Sequence, residues 1–371
     1  MAATFVFTEQ IAPGGASVGS PAAEQARSAL SRLEGALGER GLALEDLLRL
    51  RLFVRDLDEL PAVEAALDER MGSQRPAVSV VEPPPDSAEP GVALTLDAAA
   101  APDAREHRRL GHNSVRLGPW VFVGATTPPA GGAPSSSPPD DPDSADSMTQ
   151  RIGEGSRALF TYLEELLRAQ GAALSDVVKV GGWLSFPMRY YAPLGRVRDA
   201  LVDRAGLMPA SAGVQVARVG AAGELLSLEA LAFSPEEGAE HCCAGERAPA
   251  PSRLARFYAD ARAAGGYVFT SGEVPDGRGS TRAQAREVYE RLGSHLAAHG
   301  ASPASVLQQT VFVRHARDGA AVAAAAREFY GADIPPPSTT LLPVADIGFH
   351  PGCDVEIELV AASDAPSADA R

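Results

Sequence analysis

The sequence predicts an α+β protein built from three tandem copies of one small domain. Three observations carry that expectation. The order helix, glycine, strand, helix, proline turn, strand, strand recurs three times. Its anchoring glycines, Gly41, Gly171 and Gly300, stand about 130 residues apart. Each copy also opens on a short apolar strand. The period is that of a whole small domain, too long for a solenoid unit.

The elements follow in order. Opening strands read Phe5–Thr8, Trp120–Val123 and Tyr267–Thr270, runs of aromatic and β-branched residues. A first helix then carries apolar residues at helical spacing, as at Ala26, Leu30, Leu33 and Leu37. The anchoring glycine ends it, because the left-handed residue after a helix is least strained as glycine. Strands are expected over Leu50–Arg55, Asp176–Leu184 and Ser305–Arg314. Second helices follow over Leu60–Met71, Ala192–Ala205 and Gly319–Tyr330. Proline then marks a turn into Ala77–Val81, Ala212–Ala217 and Thr339–Leu342. The copies close on Val92–Leu96, Leu225–Leu231 and Asp354–Val360. A mixed sheet with two helices on one face is the simplest packing of such a unit. The expected domains are 1–101, 102–235 and 253–363, with a linker at 236–252 and a fraying tail at 364–371. Residues 128–147, rich in Pro, Gly, Ser and Asp, read as a disordered loop.

Composition excludes several function classes. Lys and Arg number 33 against 48 Asp and Glu, a net charge of -15. A nucleic-acid partner or an anionic membrane would need a basic face. Lys179 is the only lysine, and the excess of Ala, Gly, Pro and Arg reads as the bias of a GC-rich bacterial genome. No apolar run is long enough to span a membrane, and no secretory leader is visible. Three cysteines make no disulfide framework, so a cytoplasmic location is expected. His241-Cys242-Cys243 lacks a second pair at zinc spacing, and no phosphate-binding glycine loop is present, so neither metal nor cofactor is expected.

The third copy resembles the RidA/YjgF family of reactive-intermediate deaminases. The resemblance is carried by Tyr267–Gly272, Gln284, His299–Ser302 and Val355–Glu358. The second copy is similar through Trp120–Gly124 and Gly171–Lys179, and the first more weakly. Members are homotrimers of one such chorismate-mutase-like domain, with clefts between subunits. The resemblance therefore implies a trimer folded within one chain, a pseudo-trimer that is a monomer or a weak dimer. The family's carboxylate-gripping Arg maps onto Val78, Ser211 and Ser338, so it is absent from all three copies. Its water-positioning Glu maps onto Thr95, Ser227 and Glu356, so only the third copy keeps it. An opening-loop Tyr maps onto Tyr258.

Glu356 is thus the candidate catalytic acid–base, and strand alternation puts it on one face with Glu358. Candidate substrate contacts are Tyr258, Ser271, Ser338 and Thr340. The aromatic cluster around Trp183, Arg189 and Tyr190 reads either as a pocket wall or as packing between copies. Arg314-His315 and the closing His350…Cys353…Glu356 also resemble chorismatases, though the Cys–Glu spacing is shorter than theirs. Cys353 near His350 is a candidate nucleophile, and Lys179 reads as a surface lysine. The expected function is a small-molecule enzyme of bacterial specialised metabolism. Its substrate would be a reactive imine, enamine or related carbonyl compound, hydrolysed or rearranged with Glu356 as general acid–base. The alternatives are a chorismatase-like hydrolase of an enol ether and a non-catalytic ligand-binding scaffold.

Overall fold

A computed structural model describes residues 4–87, 89–127, 145–202, 209–220, 224–235, 259–348 and 351–363. The first repeat runs β1 (Val6–Phe7), α1 (Ala22–Gly38), β2 (Leu47–Val54), α2 (Leu60–Met71), β3 (Ala77–Glu82) and β4 (Leu94–Ala100). A short α3 (Ala104–His107) leads to the second: β5 (Arg108–Gly111), β6 (Ser114–Leu117), β7 (Trp120–Thr126), α4 (Ala145–Ala169), β8 (Val177–Leu184), α5 (Ala192–Val202), β9 (Ala210–Gln215), β10 (Arg218–Val219) and β11 (Leu226–Phe233). The third runs β12 (Ala261–Ala264), β13 (Tyr267–Thr270), α6 (Thr281–Ala298), β14 (Val306–Val313), α7 (Gly319–Tyr330), β15 (Ser338–Pro343) and β16 (Val355–Ala362).

These strands form three mixed sheets, ordered β1-β4-β2-β3-β10, β5-β6-β7-β11-β8-β9 and β12-β13-β16-β14-β15. In each, the closing strand runs antiparallel to the central strand, which pairs in parallel with the repeat's own last-but-one long strand, β3, β9 or β15. The glycines that anchored the repeat adopt φ of 73°, 72° and 68°, the left-handed conformation expected after a helix. The predicted α+β architecture of three tandem units is therefore what the chain adopts. Boundaries shift by a few residues, as at β2 and β9, and α4 starts at Ala145, inside the segment read as loop. Residues 128–144, the linker 236–252 and the tail 364–371 lie outside the described residues.

Each sheet has two different faces, set by alternation along the strands. On β2, Leu50, Leu52 and Val54 face α1 and α2 and build the first repeat's own core. Arg49, Arg51 and Phe53 face the other way, toward the other two sheets. Repeats two and three have corresponding helix-side cores. The three inner faces meet around a pseudo-threefold axis in layers. An aromatic layer joins Phe5, Phe7, Trp120, Phe122, Tyr267 and Phe269 from the three opening strands. At the far end Phe53, Trp183 and Phe312, equivalent residues of the three central strands, pack edge to face. Between them lies a layer of charge.

Candidate functional site

The strand register defines three junctions, each built from one repeat's last-but-one long strand and the next repeat's opening and closing strands. At the first, Val78 of β3 meets Asn113, whose amide receives the Val78 N–H at 2.7 Å and donates to its carbonyl at 3.0 Å. At the second, Gly272 N–H donates to Ser211 carbonyl at 3.0 Å. At the third, Gln10 N–H donates to Thr339 carbonyl at 3.1 Å. Thr339 is level with Gln309 of β14, as Val78 is with Leu50 and Ser211 with Val180. The position matched to Ser338 from sequence is therefore one residue out, and Thr339 is its structural counterpart.

Each junction has a different chemical floor. The first holds a cavity of about 450 Å³ lined by Val78, His112, Asn113 and Ser227, where Arg75 and Glu64 are ion-paired to each other and Val78 and Ser227 stand at the clamp and acid positions. The third holds one of about 370 Å³ in which Gln10 Nε2 donates to Thr95 Oγ1 at 2.9 Å. There the Gln10 amide fills the room that a longer acid at position 95 would take. The second junction holds Glu356, which is 4% exposed. A Cβ at Gly272 would collide with its carboxyl group. Room for the acid thus depends on a glycine across from it. Burial, helped by the neighbouring charge of Glu358, pushes the Glu356 carboxyl up to about 8. The Lys179 ammonium and the Gly213 backbone pull the other way without cancelling that effect. Glu273 follows Gly272 but turns to the opposite face, where it pairs with Arg291 at 3.0 Å and His295 at 3.3 Å.

Glu358 shares the buried face with Glu356, as strand alternation predicts, and opens onto the axis. There three cations, Arg49, Arg51 and Lys179, meet three carboxylates, Asp97, Glu229 and Glu358. Lys179 pairs with Glu358 at 2.6 Å and donates to Thr270 carbonyl at 2.7 Å. Arg51 pairs with Glu229, which also accepts from Ser79 Oγ at 2.6 Å. Arg49 pairs with Asp97 at 3.3 Å, and Thr340 Oγ1 donates to the same carboxylate at 2.9 Å. Burial alone would raise Glu229 and Glu358, but the adjoining cations hold both below the usual carboxylate range. A cavity of about 50 Å³ remains on the axis, room for little more than ordered water. This cluster balances its own charge and reads as an ionic core.

The structure separates most residues predicted to share a site. Ser271 joins Glu356 at the second junction. Its hydroxyl accepts from Ser211 N–H at 2.8 Å and donates to Ala259 carbonyl at 2.5 Å, so it ties the junction together. Tyr258 and His350 lie outside the described residues. Ser338 instead donates to Phe7 carbonyl at the third junction, at 2.8 Å, and Thr340 belongs to the axis. Trp183 is packed between Phe53 and Phe312, so it is core and not a pocket wall. Arg189 stacks over Tyr190 at 4.8 Å, and Tyr190 packs against the second repeat's own core, away from Glu356. Arg314 is held by Asp346. Cys353 is buried, donates to Val355 carbonyl, and burial pushes its thiol up to about 12, so it is no thiolate nucleophile. Lys179 is not a surface lysine: its side chain is 14% exposed and ion-paired. The axial residues escaped sequence reasoning because each lies in an ordinary alternating strand. Asp97, Glu229 and Glu358, two residues after Thr95, Ser227 and Glu356 in all three repeats, were the available signal.

Comparison with known proteins agrees with this architecture. Residues 247–363 match the family model described as Endoribonuclease L-PSP. A chorismatase structure superposes over 97% of this chain and 98% of its own, with TM-score 0.57 and 17% identity. A YjgF-family protein from Mycobacterium tuberculosis covers 32% of this chain and 98% of its own, at 25% identity and TM-score 0.30. One from Neisseria meningitidis covers 29% and 89%, at 25% identity and TM-score 0.27. No curated protein sequence matches. No helix among the described residues is long and apolar enough to cross a membrane. The third repeat is similar to that Endoribonuclease L-PSP family, and the chain, which builds the same sheet three times around one axis, is similar in fold to a chorismatase.

Proposed function

We propose that the chain is an enzyme acting on a small reactive imine, enamine or related carbonyl compound at the junction of repeats two and three. Glu356 is its general acid–base. One observation carries this reading: the Glu356 carboxyl is buried opposite Gly272 and held near 8. A carboxyl at that value is protonated at neutrality yet close enough to lose its proton in turnover. It would protonate a leaving nitrogen or enamine carbon, then accept a proton from water or substrate. Because Val78, Ser211 and Thr339 supply no guanidinium, the substrate is not selected by a free carboxylate gripped in the family's manner. Ordinary deamination of simple 2-imino acids is therefore not the expected activity.

The test is turnover of imines generated in situ by an amine oxidase, followed as ammonia release and as rearranged carbonyl product. Glu356→Gln is expected to lower the rate at least about 100-fold, the scale of a lost general acid–base. Equal turnover by both proteins would remove the reading.

A second reading is hydrolysis of an enol ether protonated by the same Glu356. It is supported by the three-repeat architecture that this chain shares with a chorismatase over nearly its whole length. Arg314 would have to exchange Asp346 for a substrate carboxylate. Pyruvate release from chorismate, lost in Arg314→Ala, is its test.

A further inference from the structure

Repeats one and three carry second helices of equal length, α2 and α7, on equivalent strands. Aligned end to end, Leu67 of α2 corresponds to Ala326 of α7, and Met71 to Tyr330. On the sheet beneath, Leu52 corresponds to Val311 and Leu50 to Gln309. In repeat one these leucines fill a closed core, each no more than 1% exposed. In repeat three a pocket of about 490 Å³ opens between α7, β14 and β15, where Ala326 and Val311 are smaller than the leucines of repeat one. That size is within the range of small-molecule pockets.

The cavity has a polar floor that repeat one lacks. Gln309 lines it while only 5% exposed. Its Oε1 accepts from Tyr289 hydroxyl at 2.8 Å and from Tyr330 hydroxyl at 2.9 Å. Its amide nitrogen donates to Thr339 Oγ1 at 2.8 Å, and that hydroxyl donates to Pro337 carbonyl at 2.9 Å. One amide N–H of Gln309 is thereby used, and the second has no acceptor among the described residues. Both tyrosine oxygens likewise keep room to accept. A leucine replaced by a buried amide with a spare donor, beside a pocket lined by smaller side chains, is a poor core and a good pocket floor.

We propose that this cavity binds a small neutral molecule with an apolar body and one carbonyl or hydroxyl group. Val311, Val322, Ala326 and Leu341 receive the body, and the spare Gln309 N–H donates to the oxygen. A hydroxyl ligand also donates to a tyrosine oxygen. Arg327 also lines the pocket but is exposed, so the site has no buried charge to match. The cavity lies on the helix side of the sheet, whereas Glu356 faces the junction, so the two sites are separate.

The test uses the full chain with benzyl alcohol and benzamide as probes, read by calorimetric titration and by the shift in Tm. Wild type is expected to bind both and to melt higher with them. Ala326→Leu, which restores the side chain of repeat one, is expected to fold and to weaken both probes at least about tenfold. Val311→Leu closes the same cavity from the strand side and is the second variant should the first misfold. Failure of either probe to bind wild type, or equal binding by the filled variants, overturns the proposal and leaves a packing defect.

Discussion

The carboxyl group of Glu356 occupies the space that a Cβ on Gly272 would need. The third junction shows the complementary solution. Where the acid is shortened to Thr95, the facing position has grown to Gln10, and the two side chains hydrogen-bond at 2.9 Å. Gly272→Ala is therefore expected to destabilise by about 1–3 kcal/mol through overpacking. Adding Glu356→Thr should recover most of that loss, because the shorter side chain frees the space. A double-mutant cycle in urea measures the coupling, and additive effects would show that the contact is not the cause.

The raised value of Glu356 makes stability depend on pH in a defined direction. A carboxyl whose folded value is about 8 binds its proton more tightly in the native state than in the unfolded one, whose value is 4.5. The stability tied to the neutral carboxyl is full below the unfolded value and is lost as pH rises through the folded one. Glu356→Gln keeps that side chain neutral throughout. It should match wild type near about pH 5 and exceed it by on the order of a few kcal/mol near about pH 9. Urea denaturation at the two pH values decides. A gap that does not widen with pH would mean that the carboxyl is already ionised in the fold.

Lys179 of repeat two and Glu358 of repeat three make the opposite prediction. Burial would raise Glu358, but Lys179 and then Arg51 hold it below its ordinary value. Its contribution is present above the unfolded carboxylate value and is lost as pH falls through the lowered one. Lys179→Met leaves a buried carboxylate without its closest cation and should cost about 3–5 kcal/mol at neutral pH. Lys179→Met with Glu358→Gln should be less destabilised than Lys179→Met alone. Thermal melts from neutral to acid are the measurement. Because Lys179 is the only lysine, its acetylation state in the folded chain reports burial directly.

The repeat and the sheet were legible because they rest on local constraints. Gly41, Gly171 and Gly300 sit where the backbone turns left-handed, and the apolar alternation of β2 and β16 fixes which face meets the helices. The axis was not legible, because Arg49, Lys179 and Glu229 alternate with apolar residues just as they would on a solvated face. Only closure of three sheets brings those faces together. The slip from Thr339 to Ser338 has a local cause: Pro335, Pro336 and Pro337 offer three anchors for one turn, and only the pairing of β14 with β15 selects among them. Trp183 was ambiguous for a related reason. An aromatic on a central strand suits a pocket wall and an axial core equally until its partners, Phe53 and Phe312, are placed.

That placement yields a test which separates core from site. Trp183 is 2% exposed, with ring centroids 6.2 Å from Phe53 and 6.1 Å from Phe312. Each ring comes from a different repeat, so the layer stabilises the association of all three. Trp183→Ala is expected to cost about 3–5 kcal/mol, the scale of a truncated buried aromatic. The loss should appear in the unfolding of the whole chain as one transition, because the layer is shared. Its indole Nε1 has no hydrogen-bond partner among the described residues, so Trp183→Phe loses no polar contact there and should cost far less. A substrate contact would behave differently, with KM raised by Trp183→Phe while the denaturation midpoint stays unchanged. Measuring both on the same two variants assigns the residue.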